Sequence, residues 1–311
     1  MILCIGTTPA TQRVMTFPKL TIDAVNRAVT TLEGASGKSV NVAKVLKALG
    51  EQPVATGFLG GDRGEQLRAL LEAQGIDLDF VKVTPRTRQC CTLLDTSAGT
   101  HTELVEESQP VAPADYKELM LIIQRRVKGC RAVVMSGTIT PGGPADLYFQ
   151  GTQMAHEAGA IPVVDAQGAA LIKALEARPA LVKPNRPELA ATLGRELKDE
   201  AAVMLAMREL CERGAQRVVV TAGKDPALAF DGQTWWKVHA PRIDAMNPIG
   251  SGDAFAAGLV WRLLRGEDLG EACRWAGAAG AANALTVMAG EVHRNDVERL
   301  ATEVRAEVLK A

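Results

Sequence analysis

The 311-residue chain carries 35 Lys and Arg against 36 Asp and Glu, a net charge of −1, which excludes the broad basic footprint of a nucleic-acid or anionic-membrane binder. Hydrophobic residues at 47% and charged ones at 23% describe a globular α/β protein, one large domain or two smaller ones, with small-molecule partners. No run of eighteen apolar residues occurs and no basic leader precedes the first strand; the six cysteines form no CxxC pair, so a cytoplasmic protein with reduced thiols is expected.

Residues 2–6 predict a short buried strand, and 8–32 are mixed, with Pro9, Pro18 and a β-branched stretch at Val29-Thr30-Thr31. Gly34-Ala35-Ser36-Gly37-Lys38-Ser39 then forms a glycine loop ahead of residues 40–49, whose apolar positions recur at helical spacing and stop at Gly50. A Walker A loop would need glycine at position 32, where the chain has Leu, so the P-loop reading is weak. A strand over 54–57 and a helix over 64–74 follow. Residues 92–95 and 100–105 read as a hairpin standing apart from the α/β rhythm, a candidate lid.

Beyond it the alternation is regular: helix 114–127, strand 132–136, helix 145–158, strand 161–165, helix 169–175, strand 181–183, helix 200–213, strand 217–221. Such alternation builds a parallel sheet with helices on both faces. An antiparallel pair over 227–230 and 234–238 adds an edge to it. The small-residue run 275–285 predicts a closely packed helix, and 296–309 a terminal amphipathic helix capped by Asn295.

Ligands of open α/β sheets gather beyond the carboxyl ends of the strands, which directs attention to Asp165, Asn185 with Glu188, Thr221 with Gly223, and Asp253. Asn185 and Glu188, three apart, can face a hydrated magnesium ion, or simply form a solvated helix start. In Asn247-Pro248-Ile249-Gly250-Ser251-Gly252-Asp253 two glycines and a carboxylate stand where an apolar helix begins. Unpaired first-turn N–H groups make that a site for anions. Asp253 then has two roles open to it: a cap for its helix, or acceptor of a hydroxyl proton beside the anion.

Five segments together resemble the ribokinase-like (PfkB) sugar kinases, in particular the branch of tagatose-6-phosphate kinases and 1-phosphofructokinases. They are Gly37-Lys38-Ser39-Val40-Asn41-Val42-Ala43, Thr87-Arg88, Ser136-Gly137, Lys183-Pro184-Asn185-Arg186-Pro187-Glu188 and the 247–253 stretch. The resemblance runs from the first strand to the last helix. It implies a three-layer α/β/α sandwich, in one kinase domain, with a small β-sheet lid formed from about 8–32 and 86–106, and members often pair lids into dimers. It implies ATP and Mg2+ as cofactors and a phosphorylated ketohexose as acceptor.

By the same resemblance Asp253 is the general base, and Gly250, Ser251 and Gly252 form the anion hole. Lys38, Asn41, Arg27 and Arg88 bind the sugar and its existing phosphate, with Gln12, Gly37 and Thr138 beside them. Lys183, Thr221, Gly223 and Asn283 lie on the nucleotide side with Asn185, while Asn185 and Glu188 hold magnesium. A carboxylate in the first turn of a helix is expected to be a weak base, because the dipole favours its charged form. Other readings on the same fold are a kinase for a free sugar, nucleoside or sugar acid, or a sugar-phosphate-binding regulator without turnover.

Three positions depart from the family pattern. Gln12 stands where relatives carry Asp, so a charged acceptor for sugar hydroxyls is replaced by a neutral one. Ser36 and Ser39 replace glycines; were Ser39 held at positive φ, it would cost about 1–2 kcal/mol. Pro226 replaces glycine in the nucleotide loop and removes an N–H there.

Overall fold

The computed structural model describes residues 1–309. The chain opens with strands β1 (Ile2–Gly6), β2 (Ala10–Phe17) and β3 (Thr30–Ser36), helix α1 (Lys38–Ala48), strand β4 (Pro53–Leu59) and helix α2 (Gly61–Ala73). Short β5 (Asp77–Leu78) and β6 (Val81–Lys82) precede the hairpin β7 (Arg88–Asp95) and β8 (Thr100–Val105). The central run is α3 (Pro113–Arg126), β9 (Ala132–Ser136), α4 (Leu147–Glu157), β10 (Ile161–Asp165), α5 (Gly168–Leu175), β11 (Leu181–Val182), α6 (Arg186–Leu193), α7 (Glu200–Glu212) and β12 (Val218–Ala222). The chain ends with β13 (Asp225–Phe230), β14 (Trp235–His239), α8 (Ser251–Leu263), α9 (Leu269–Ala284), α10 (Arg294–Ala301) and β15 (Arg305–Leu309).

The large sheet runs β15-β14-β13-β12-β11-β10-β9-β1-β4-β5, parallel from β12 to β5, with β13, β14 and β15 as an antiparallel edge. Buried strands of a parallel sheet are apolar on both faces, and β1 shows why. Its Ile2 and Cys4 pack with Val42, Leu46 and Leu259 of α1 and α8, whereas Leu3 and Ile5 pack with Leu119, Ile123 and Tyr148 of α3 and α4. The sheet is thereby sandwiched between two helical layers. A second sheet, in the order β3-β2-β7-β8, stands beside this sandwich. Among the described residues no helix is long and apolar enough to cross a membrane.

The mixed stretch 8–32 resolves into β2 and the start of β3, so the second strand of the small sheet continues past position 32 to Ser36 and leads directly into α1. The predicted terminal helix over 296–309 stops at Ala301 and starts from His293 rather than Asn295. Val297 and Leu300 give it an apolar face, but residues 305–309 pair with β14, from Trp235↔Leu309 to His239↔Arg305. An open sheet edge offers a whole row of hydrogen bonds, and that pairing overrides the helical spacing. Ser39 is an ordinary residue of the first turn of α1; the positive φ, 107°, belongs to Gly37. Gly6 makes the room, since a Cβ there would lie 2.2 Å from Ser39 Oγ. Pro226 falls between the pairs Ala222↔Asp225 and Val220↔Leu228, so its missing N–H breaks no ladder bond.

Candidate active site

The loop ahead of α8 is held by side chains. Asn247 is buried; its Oδ1 accepts from Ile249 N at 3.1 Å and its Nδ2 donates to the Val287 carbonyl at 2.8 Å. Gly250 follows as the helix N-cap in the left-handed region, φ 85°, where a Cβ would come within 2.9 Å of Ala289 Cβ and Gly290 N. Only glycine fits there. Ser251 N–H is engaged with the Pro248 carbonyl at 3.1 Å and Asp253 N–H with the Gly250 carbonyl at 3.0 Å, whereas the N–H groups of Gly250 and Gly252 have no partner among the described residues. Two of the three expected anion-hole amides are therefore free, and Ser251 contributes its place in the turn instead.

Asn283 sits behind this loop rather than beside an open cleft. Fully buried, it donates to the Ile249 carbonyl at 2.9 Å and accepts from Gly290 N at 2.8 Å. It braces the anion loop, a role the nucleotide-side expectation did not include.

Asp253 does not cap α8: the cap is Gly250, and Asp253 lies three residues inside. Its Oδ2 accepts a 2.7 Å hydrogen bond from Asn41 Nδ2 of α1. Gly290 packs on Asn41, where a Cβ would meet Asn41 Cα at 2.8 Å. Burial pushes the Asp253 pKa up to about 7, the charge of Asp165 adds to the rise, and Lys38, the Asn41 bond and Lys183 oppose it. The expected weak base is thus replaced by one poised near neutrality, because desolvation outweighs the helix dipole.

Next to it runs a chain of charges. Lys38 Nζ lies 2.7 Å from Glu188 Oε1 and 3.3 Å from Asp165 Oδ1, and Lys183 Nζ lies 3.1 Å from Asp165 Oδ2. Burial works to raise the Asp165 pKa, but the ammonium groups of Lys183 and Lys38 hold it below the ordinary carboxylate value. Burial works against the charge of Lys38, yet Asp165, Glu188 and Asp253 raise its pKa well above the usual. The Lys183 ammonium stands 3.9 Å from where a Cβ on Gly252 would be, which places it beside that residue of the loop. Positive charge and unpaired N–H groups converge there, which suits a transferring phosphoryl group.

Asn185 and Glu188 form a reciprocal capping box at α6. Asn185 Oδ1 accepts from Glu188 N at 2.8 Å, and Glu188 Oε2 accepts from Asn185 N at 2.9 Å. Only Glu188 Oε1 remains turned toward a cation, the Lys38 ammonium. Asn185 also bridges to Thr221 at the end of β12. Gly223 lies beyond, in an exposed turn with φ 64° and open space around it. Among the described residues no group of three His, Cys, Asp or Glu side chains gathers as a metal site.

On the small sheet Gln12 is buried and donates to Thr92 Oγ1 at 2.5 Å. Arg88 holds the Thr8 carbonyl through Nη2 at 3.0 Å and lines a pocket with Thr7, Phe58, Thr87 and Gln109. Gly37 closes against Pro9, and exposed Thr138 gives its carbonyl to Thr7 Oγ1 at 3.0 Å. Arg27 does not join them. It is exposed in the loop between β2 and β3, and no hydrogen bond or ion pair reaches it among the described residues.

Two residues gained roles that sequence reasoning did not give them. Asp165 was marked by its place at a strand end, but its bridging of two lysines depends on tertiary contacts. Lys44 of α1 carried no signal at all. It is buried, and its ammonium donates to the Ala35 carbonyl of β3 at 3.0 Å and to the Ala289 carbonyl at 2.7 Å. Burial pushes its pKa down to about 8, with Glu291 pulling it back up.

A doubly wound sheet with a side sheet, and a cleft where a helix start, a buried carboxylate and two lysines meet, define a phosphotransferase of the ribokinase-like fold. The sequence pattern of the PfkB family carbohydrate kinases matches residues 1–293, and the chain belongs to that family. It is similar to a provisionally named phosphofructokinase of Staphylococcus aureus, with 30% identity, 99% of each chain covered and a TM-score of 0.80. Phosphofructokinase-2 of Escherichia coli, solved with substrates and products, is 26% identical, with 97% of this chain and 98% of that one covered and a TM-score of 0.88. A possible 1-phosphofructokinase of Thermotoga maritima shares the fold at 24% identity, 99% coverage of each and a TM-score of 0.91.

Proposed function

We propose that this sugar kinase transfers the γ-phosphoryl group of ATP to a hydroxyl of a phosphorylated ketohexose of the fructose phosphate or tagatose 6-phosphate type. The observation that carries the reading is the Asp253 carboxylate, held by Asn41 next to the free amides of Gly250 and Gly252 and the Lys183 ammonium. Arg88 in the pocket beside the cleft favours an acceptor that already bears a phosphate. Phosphofructokinase-2 of E. coli has been solved with fructose 6-phosphate, which supports the same acceptor class here.

In the reaction the acceptor oxygen bonds to the γ-phosphorus, the bond from that phosphorus to the bridging oxygen breaks, and ADP leaves with that oxygen. The hydroxyl proton passes to Asp253. Phosphoryl transfer has a loose transition state, so most of the catalysis is alignment and stabilisation of charge on the equatorial oxygens. Gly250, Gly252 and Lys183 do the second, Asn41 and Asp253 the first. Lys38, already paired to Glu188 and Asp165, also acts through its charge on Asp253.

Magnesium carried on nucleotide phosphates needs only one or two protein carboxylates. Glu188 Oε1, which holds an ammonium in this structure, fits that task, and Asn185, whose Oδ1 is taken by the helix cap, would act through water. Bound there, the ion would supply positive charge against the nucleotide phosphates. Six unbonded cysteines support a reducing, cytoplasmic setting. The exposed apolar side chains around the small sheet support a homodimer formed through it as a lid.

The test is ADP release with ATP and Mg2+ against fructose 1-phosphate, fructose 6-phosphate, tagatose 6-phosphate and unphosphorylated sugars. Turnover confined to one or two of the sugar phosphates is expected. Turnover of free sugars alone, or tight sugar-phosphate binding without ADP release, would overturn the reading.

A further inference from the structure

The small sheet turns one face to the cleft. Gln12 pairs with Gly34 and Cys90 in register, and Thr92 pairs with Glu103, so alternation places Gln12, Gly34, Arg88, Cys90, Thr92 and Glu103 on one side. That side meets the body: Val14 and Leu94, in the same phase, pack on Met288, and a Cβ on Gly34 would lie 2.4 Å from Met288 Cε. Met288 belongs to the loop that carries Ala289 and Gly290 against the anion hole.

Three carboxylates lie on the four strands. Glu33 is on the opposite face, ion-paired with Arg13. Asp95 accepts from the backbone of Leu20, Ser97 and Ala98 in a turn. Glu103 alone faces the cleft. It is exposed, yet partial withdrawal of water around its carboxyl raises its pKa, while the neighbouring Gln12 amide and the charge of Arg88 pull it back. Gln12 meanwhile leaves its Oε1 buried without a donor.

Resting on the kinase reading above, we propose that Glu103 is a specificity residue that accepts hydrogen bonds from hydroxyls of the sugar phosphate, supplying from β8 the charged acceptor that Gln12 does not provide. Gln12 is anchored through its amide to Thr92 and its own carbonyl oxygen is buried, so of the polar groups on this face the exposed Glu103 carboxylate is the one open to a substrate hydroxyl. Arg88, on the same face, takes the acceptor's phosphate. A carboxylate in this place also repels substrates with a carboxyl group on that edge, which disfavours sugar acids.

The experiment compares the wild type with Glu103→Gln and Glu103→Ala, using the sugar phosphate with the best turnover and its singly deoxygenated analogues. Loss of a charge-assisted acceptor should raise the KM for the sugar phosphate roughly 10- to 100-fold, and leave kcat and the KM for ATP within about twofold. The penalty should vanish for the one analogue that lacks the contacted hydroxyl. Variants that keep the wild-type sugar KM, or a penalty equal for every analogue, would overturn the assignment while the kinase reading stands. A wild type that releases no ADP with any sugar phosphate would bring down both.

Discussion

Asp253 combines two demands that conflict. As an ionised group it is the proton acceptor, and as a buried one it resists ionisation until about pH 7. Replacing it by Asn, which keeps shape and can still accept from Asn41, should lower kcat by roughly 10²–10⁴ with the fold intact. In the wild type, kcat/KM should fall as pH drops below about 7. The stability effect has a definite sign. The folded protein binds this proton more tightly than the unfolded chain, so the contribution is present below the ordinary carboxylate range and is lost as pH rises to about 7. Scanning calorimetry of Asp253→Asn should therefore show little change in Tm near pH 4 and a higher Tm than wild type at pH 8. Near-full turnover, or a lower Tm at pH 8, would remove the base assignment. The identity of this residue was legible because a glycine pair and a carboxylate at a helix start are local; its pKa was not, since burial is set by what α1 and β10 bring against it. Asn41 and Lys38 were reached only through the resemblance, and Arg27, reached the same way, lies apart from them.

Among the elements, α6 carries its function at its first turn. Asn185 and Glu188 cap the helix reciprocally while Glu188 holds Lys38. Asn185→Ala should cost about 1 kcal/mol, read as an earlier urea midpoint at unchanged slope, and Asn185→Asp should recover most of it. A midpoint unmoved by Ala would show the cap to be dispensable. Apart from α6, of which only a possible start at Asn185 and Glu188 was read, the helices and strands between residues 114 and 230 fell within a few residues of their predicted limits because each buries a stripe or a face that its own sequence displays. The errors came where partners decide. Residues 305–309 have helical spacing but find an open strand edge in β14. In α1 the residues from Ser39 to Leu46 are all buried, so no polar face sets Lys44 apart in the sequence.

For the whole molecule, the large sheet and its two helical layers fix the cleft, and the small sheet closes one side of it. Around that sheet Ile22 and Val25 are 88% and 86% exposed, with Val29, Leu32 and Leu104 also uncovered. Light scattering after size exclusion should give a dimer for the wild type and a monomer for the double variant Ile22→Asp, Val25→Asp. A monomeric wild type would dispose of pairing through this face. The three-layer architecture could be read from the alternation of elements, whereas the order of the small sheet, β3-β2-β7-β8, joins β2 to β7 across pairs such as Ala10↔Arg88, 78 positions apart, and has no local signature.

The ammonium of Lys44 ties two parts that otherwise belong to different bodies, the foot of β3 through Ala35 and the wall of the phosphoryl site through Ala289. One buried cation thus holds the end of a small-sheet strand and the segment that abuts Gly250 in a single hydrogen-bonded unit.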